Sequence, residues 1–238
     1  MLLKSLREEV LEANLELVRR GLVLYTFGNA SGVDREQGLV VIKPSGVGYD
    51  ELKPEDMVIT DLDGKIVEGS LRPSSDLDTH TLLYREFAAI GAVVHTHSEF
   101  ATSFAQACLP IPPFGTTHAD YFHGPVPVTA PLSDLAIQGS YVHETGLAIV
   151  ARFRGKHGNA EVDPLAVPAC LVAGHAPFVW GRSAAEAVHN AVVLEAVARM
   201  AYRTLSLRAD AKEVSQALLD RHHLRKHGKN ATYGQDKS

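Results

Sequence analysis

Apolar residues recur at helical spacing in some segments of the chain and form short continuous runs in others, with small polar loops between them. The helical spacing predicts helices at about 2–20, from Ser74 or Ser75 to Gly91, at 99–108, from Ser133, from Ser183 to about 207, and at 211–226. The short runs predict strands at 22–25, 39–43, 57–60, 66–67, 92–97, 126–128, 147–150, 169–173 and 178–180. Helices interleaved with hairpins indicate one α/β domain over residues 1–238, with helices on both faces of a mixed sheet.

Three small polar loops stand out between the predicted elements. They are Gly28 with Asn29, Ser45 with Gly46, and Ser74 with Ser75. Each offers backbone amides or hydroxyls without bulk, and the serine pair also lies at a predicted helix N-terminus, where the helix dipole favours an anion. For any one of these loops, turn formation and helix capping are the favoured explanation, and spacing alone does not show that the loops converge.

A pair of histidines closes the apolar strand at 92–97. Side chains at positions i and i+2 of a strand leave the same face, so His95 and His97 can aim both imidazoles at one point. Neutral imidazole is the commonest nitrogen ligand of zinc. His175 follows another buried strand, and Asp76 begins the helix that precedes the pair. Three histidines leave coordination positions open, which is typical of a catalytic site for zinc, with manganese or cobalt as alternatives.

A His-x-His pair occurs in more than one structural context. The pair can be two solvated loop histidines that meet by chance. Cupins carry such a pair in a jelly roll, but this chain has too much helical periodicity for that fold. Amidohydrolase barrels carry it on an early strand of a chain of roughly 250 residues or more. Here the pair falls after residue 90, which leaves too little chain for a full barrel.

The composition and charge of the chain disfavour several classes of binding partner. The 238 residues are 45% apolar and 21% charged, which is ordinary for a globular protein. The formal net charge is −5 and there is no long basic run, which disfavours nucleic acid. No apolar run approaches the ~20 residues that span a bilayer, and the first residues open an amphipathic helix rather than a signal peptide. Cys108 and Cys170 lack metal spacing and lie among apolar residues, which predicts buried thiols in a reducing cytoplasm.

Seven motifs spread over nearly the whole chain form a more specific pattern. They are Gly28-Asn29, Lys43-Pro44-Ser45-Gly46, Pro73-Ser74-Ser75-Asp76, His95-Thr96-His97, Gly115-Thr116-Thr117-His118-Ala119-Asp120, His175, and the ending from His222 through Tyr233-Gly234-Gln235. Together they resemble the class II aldolase/epimerase family, and within it the 4-epimerases of L-ribulose 5-phosphate. The resemblance implies a three-layer α/β/α fold around a mixed, mostly antiparallel sheet. It also implies a homotetramer with sites at subunit interfaces.

The resemblance assigns roles to individual residues. The metal ligands would be His95, His97 and His175, with Asp76 at or near the ion. The phosphate of a sugar substrate would lie among Gly28, Asn29, Ser45, Gly46, Ser74 and Ser75, with Lys43 close by. Asp120 and Tyr233 would be the acid/base pair, and the segment from about 211 to 238 would bring Tyr233 into a neighbouring subunit's site, with His222 near the same site. Independently of the resemblance, His118 shares the loop of Asp120 and is expected to orient it.

The implied reaction is epimerisation at C4 of L-ribulose 5-phosphate to D-xylulose 5-phosphate, by cleavage and re-formation of the C3–C4 bond. A class II aldolase that cleaves a phosphorylated ketose is an alternative, as is an epimerase for a related sugar phosphate. The aldolases tend to carry Glu where this chain has Asp76, which together with the Tyr-Gly-Gln ending favours an epimerase. A non-catalytic scaffold is a further alternative. A zinc hydrolase is disfavoured, because no Glu base lies beside the His pair on a helix.

Overall fold

The structure is a computed structural model, and it describes residues 1–228, 231 and 232. The helices are α1 (Lys4–Arg19), α2 (Leu77–Glu86), α3 (Glu99–Gln106), α4 (Thr116–Ala119), α5 (Asp134–Gln138), α6 (Tyr141–Phe153), α7 (Ala184–Leu207) and α8 (Gln216–His227). The strands are β1 (Gly28–Asp34), β2 (Leu39–Ile42), β3 (Val58–Asp61), β4 (Ile66–Glu68), β5 (Ala92–Thr96), β6 (Ala169–Leu171) and β7 (Pro177–Gly181). No helix within these described residues is long and apolar enough to cross a membrane.

The strands form one sheet in the order β4-β3-β2-β1-β5-β7-β6, and every neighbouring pair is antiparallel. An isolated bridge between Val128 and Leu171 adds a parallel pairing at one edge. Alternate residues of a strand face opposite sides. Val94 and Val179 therefore pack against α1, α3 and α7, while Val93 and Trp180 pack against α2 and α6. The three-layer α/β/α arrangement is thereby confirmed.

The first strand lies in a segment that the sequence predicts as a loop. Residues 22–25, predicted as a strand, form no strand, and β1 begins at Gly28 instead. A Cβ on Gly32 would lie 2.9 Å from Leu6 Cδ1 of α1, so small residues in β1 allow that helix to lie directly on the strand. The Asn14 side chain of α1 bonds to both the N–H and the C=O of Ala30. Pairing with β2 and β5 and this contact outweigh the low strand propensity of the segment.

Three further boundaries differ from the prediction. The run at 147–150, predicted as a strand, belongs to α6, which buries Ile149 and Phe153 against the sheet. Residues 126 and 128 form isolated bridges rather than a strand, and α8 begins at Gln216 instead of about 211. A short apolar run fits a strand and a buried helical face equally well, and periodicity alone does not separate them.

Two predictions about single residues are also corrected. The helix predicted from Ser74 or Ser75 begins at Leu77 and ends at Glu86, and Asp76 occupies its N-cap position without a side-chain capping bond. Of the two thiols expected to be buried, Cys170 is buried but Cys108 is exposed just past the end of α3. The uncapped Asp76 carboxylate is consequently available for other contacts.

Candidate active site

Three histidines converge at the ends of two neighbouring strands. His95 belongs to β5, His97 follows it, and His175 lies in the turn between β6 and β7. Because β5 pairs with β7 in a register that places His95 opposite Phe178, the β6–β7 turn lies close to the end of β5. The possible ligand atoms of the three histidines all lie within 4.8 Å of one another. One cation can therefore contact all three, as the sequence predicted from two separate strands.

The surroundings of the three rings favour their neutral forms. Burial lowers the pKa of His95, and partial desolvation lowers that of His97, although the His97 side chain is exposed at the cavity. Burial also lowers the pKa of His175 to about 4, with a further contribution from the two neighbouring imidazoles. The neutral form is the one that binds a metal ion. His95 is also oriented, since its Nδ1 lies 2.9 Å from the carbonyl oxygen of Pro177 and its ring stacks on Phe178. With an N–H at Nδ1, His95 presents the lone pair of Nε2.

Asp76 lines the same cavity as the three histidines, although its carboxylate is not among the ligand atoms that lie within 4.8 Å of one another. Asn29 donates a hydrogen bond from Nδ2 to Oδ2 of Asp76 at 2.6 Å. Burial would raise the pKa of Asp76, but the neighbouring His95 and His80 rings and the Asn29 bond outweigh it, so the pKa lies below its ordinary value. Three neutral nitrogens that converge on one point, with an ionised carboxylate in the same cavity, suit zinc, manganese or cobalt. The residues present therefore fit a divalent cation.

The predicted phosphate loops open onto the same cavity, which has a volume of about 640 Å³. Its wall includes every residue predicted above to bind the metal or the phosphate, namely Gly28, Asn29, Lys43, Ser45, Gly46, Ser74, Ser75, Asp76, His95, His97 and His175. His222, predicted to lie near the substrate, does not line it. Gly28 has a φ of +153°, and a Cβ there would lie 2.9 Å from the His95 carbonyl oxygen, so glycine allows β1 to begin beside the histidine strand. The structure thus brings together three loops whose convergence could not be inferred from their spacing in the sequence.

The buried side chain of Lys43 lines the same cavity. Lys43 is only 2% exposed, its Nζ donates to the Val47 carbonyl at 2.6 Å, and it lies 4.8 Å from the Tyr49 ring centroid. Burial lowers its pKa to about 8. Within residues 1–228, 231 and 232 no carboxylate forms an ion pair with it. A buried charge is stable only when it is compensated, so this lysine favours an anionic ligand in the cavity.

Asp120, one of the two predicted acid/base residues, lies outside this cavity. It is found at the end of α4. Its carboxylate lies 3.0 Å from His222 Nδ1 and accepts bonds from Arg225, with Lys226 Nζ at 3.8 Å. Burial would raise the pKa of Asp120, but the bonds from Arg225 and His222 outweigh it and lower the pKa. Tyr233 lies outside the described residues.

Two residues at or near the site, Tyr141 and His80, could not be predicted from the sequence. Tyr141, at the start of α6, also lines the cavity. His80, fully buried on α2, bonds to Ser31 and contributes to the electrostatics of Asp76. Neither residue belongs to a motif, although helical spacing places His80 one turn after Asp76. His118, expected to orient Asp120, bonds through Nε2 to the Gly124 carbonyl at 2.7 Å instead.

Comparison with known proteins identifies the class. The sequence profile of the family described as Class II Aldolase and Adducin N-terminal domain matches residues 8–202, and the chain belongs to this family. Within it, the chain is 50% identical to the L-ribulose-5-phosphate 4-epimerase UlaF of Salmonella paratyphi A, over 98% of this chain and 100% of that protein. UlaF of Salmonella typhi matches to the same extent.

Solved structures share the fold. An L-fuculose 1-phosphate aldolase superposes with a TM-score of 0.72 at 24% identity, covering 92% of this chain and 94% of that one. The L-fuculose-1-phosphate aldolase of Thermus thermophilus superposes with a TM-score of 0.66 at 24% identity, covering 88% of this chain and 98% of that one. At this identity the likeness concerns the fold.

Proposed function

We propose that the protein is a metal-dependent epimerase that inverts C4 of L-ribulose 5-phosphate to give D-xylulose 5-phosphate. The observation that carries the proposal is one cavity that combines three neutral histidines, an ionised Asp76 and the buried Lys43. Such a cavity suits a cation and a phosphate at the same time. The 50% identity to curated 4-epimerases over nearly the full chain supports the particular substrate.

The substrate explains why a cation is needed. The C4–H bond of a ketopentose is not acidic, so inversion at C4 requires cleavage of the C3–C4 bond. Cleavage leaves an enediolate and an aldehyde, glycolaldehyde phosphate. A divalent cation, zinc or alternatively manganese or cobalt, held by His95, His97 and His175 with Asp76, would stabilise the enediolate as a Lewis acid.

The phosphate loops would retain the aldehyde between cleavage and re-formation. Lys43 supplies a positive charge, and the small residues at 28–29, 45–46 and 74–75 supply hydroxyls and open backbone amides. Ser74 and Ser75 lie just before Asp76, the N-cap residue of α2, close to the helix N-terminus where the dipole favours an anion. A phosphate held here lets the aldehyde rotate and present its other face without escaping.

Two proton carriers are required, because the C4 oxygen loses its proton in cleavage and regains one from the opposite side. We assign these roles to Asp120 and Tyr233, with His222 beside Asp120. We also propose the homotetramer that the family resemblance implies, in which the C-terminal helix and tail, about 211–238, complete a neighbouring subunit's site. The position of Asp120 outside the cavity of its own chain is consistent with a site shared between subunits.

Complementation tests this assembly. His97→Asn and Tyr233→Phe should each be nearly inactive, but mixed tetramers contain some sites with both native residues. If the two residues of a site come from different subunits, random assembly of equal amounts of the two variants gives both native residues at about one quarter of the sites. Co-refolded mixtures without any recovery of activity would show that the tail serves its own chain.

The main test of the reaction is an assay on L-ribulose 5-phosphate with a metal analysis of the same sample. The proposal predicts D-xylulose 5-phosphate without accumulating fragments, loss of turnover after chelation and recovery with zinc or manganese. Because solved aldolases share the fold, net release of dihydroxyacetone and glycolaldehyde phosphate would indicate an aldolase instead. Zero turnover on a panel of ketose phosphates would favour a scaffold.

A further inference from the structure

The three histidines are not anchored equally. His95 is held by the Pro177 carbonyl and by stacking on Phe178 at 4.3 Å between ring centroids. His175 lies in a turn, where its backbone N–H donates to the Val172 carbonyl at 3.0 Å. That bond stabilises the turn but leaves the imidazole free to rotate about its side-chain bonds. A ligand carried by a turn needs a second contact if its ring is to face one point.

The hydroxyl of Tyr141 supplies such a contact, since it lies 3.2 Å from Nδ1 of His175. We infer that Tyr141 is a positioning residue of the metal site. With the proton on Nδ1, His175 donates to the Tyr141 oxygen and presents the lone pair of Nε2 to the point that His95 and His97 face. Two of the three rings are then fixed in the same way, each by an oxygen at Nδ1.

The tyrosine is itself held in place by α2, the helix that begins after Asp76. Thr79 of α2 donates from Oγ1 to the Val142 carbonyl at 2.6 Å. His143 Nδ1 lies 3.2 Å from the Asp78 carboxylate. These contacts tie the first turn of α6 to the first turn of α2. The packing of the two helices therefore places Asp76 and Tyr141 around the same cavity.

The inference rests on the proposed metal site, and metal affinity tests it independently of turnover. Tyr141→Phe removes one oxygen from a side chain that is 37% exposed, so the fold should be retained. Loss of a ligand's hydrogen-bond partner typically weakens metal binding by about 10- to 100-fold. We expect the zinc dissociation constant, measured by competition with a chelator, to rise at least about tenfold, and the visible spectrum of the cobalt form to change. Tyr202→Phe, an exposed tyrosine of α7, is the matched control and should bind as the wild type does.

A double-mutant cycle separates positioning from general loosening. In a His175→Ala background the tyrosine has no ring to orient, so Tyr141→Phe should then change metal affinity by less than about twofold. An equal loss in both backgrounds, or an unchanged cobalt spectrum in the single variant, would overturn the inference. If the wild type bound no divalent ion, the proposed function itself would fail.

The wild-type protein offers a test that needs no Tyr141 variant. In zinc-loaded protein with ¹⁵N-labelled histidine, the nitrogen chemical shifts of His175 should show a protonated Nδ1 and a coordinated Nε2. The His175 resonances are assigned as those that are absent from the spectrum of the His175→Ala variant. Coordination through Nδ1 would contradict the inference directly.

Discussion

The stability of the protein should fall in mild acid, and His118 allows the effect to be measured at one residue. His118 is 3% exposed, donates from Nε2 to the Gly124 carbonyl, and has no partner for Nδ1 within the described residues. Burial lowers its pKa from 6.5 to about 4, with the Gly124 bond acting in the opposite direction. The ring is therefore neutral in the folded protein at pH values where the unfolded chain is protonated.

The sign and size of the effect follow from linkage. Between pH 6.5 and pH 4 the unfolded chain binds more protons at this site than the folded chain does. The contribution of neutral His118 to the free energy of unfolding is therefore complete above about pH 6.5 and is lost as the pH falls toward 4. The whole interval corresponds to about 3 kcal/mol of unfolding free energy, and roughly 2 kcal/mol is lost between pH 7 and pH 5.

Urea denaturation of metal-free protein at pH 7 and pH 5 measures this loss. His118→Gln keeps an amide donor toward Gly124 and cannot be protonated, so its stability should fall by about 2 kcal/mol less than that of the wild type. His189→Gln, at an exposed position of α7, is the control and should follow the wild type. The same pH dependence in wild type and His118→Gln would refute the reasoning, because every other buried histidine is common to both.

Three further predictions concern the site. His97→Asn should lower the zinc content of the purified protein, measured by elemental analysis, and an unchanged content would exclude His97 as a ligand. Lys43→Met removes the buried charge and should raise the KM for L-ribulose 5-phosphate by roughly 10- to 100-fold, as expected for a lost charge-assisted hydrogen bond. Inorganic phosphate should compete with substrate in the wild type and much less in this variant, and equal inhibition would place the phosphate elsewhere. Tyr233→Phe should slow epimerisation by orders of magnitude with an unchanged melting temperature, whereas a wild-type rate would exclude the hydroxyl from proton transfer.

The convergence of the three histidines could be predicted because it depends on local rules. A strand places positions i and i+2 on one face, and the apolar run at 92–94 identifies the strand without reference to the rest of the chain. His175 could be added because it follows a second buried run. The small residues at 28–29, 45–46 and 74–75 are compatible with anion binding, and the family resemblance assigns them to the phosphate. Their meeting in one cavity depends on sheet order, which no local pattern encodes.

The elements that the sequence pattern predicts wrongly depend instead on contacts with distant parts of the chain. β1 is a strand because β2 and β5 flank it and α1 lies on Gly32, although its own residues have little strand propensity. Its neighbours therefore determine its structure. The apolar run at 147–150 fits a strand on its local pattern, because only the contact with α2 shows that it is one face of a helix.

Tyr141 extends the same argument from the fold to the site. Its hydroxyl meets His175 across 34 positions of the chain, and that meeting depends on the bond between Thr79 and the Val142 carbonyl. A ligand can be recognised from its own chemistry, since imidazole binds metal wherever it is placed. A residue that orients a ligand has no chemistry of its own to identify it, because a tyrosine at a helix start is ordinary. Residues of this second kind consequently emerge only from three-dimensional contacts, even where sequence reasoning has already found the ligands that they hold.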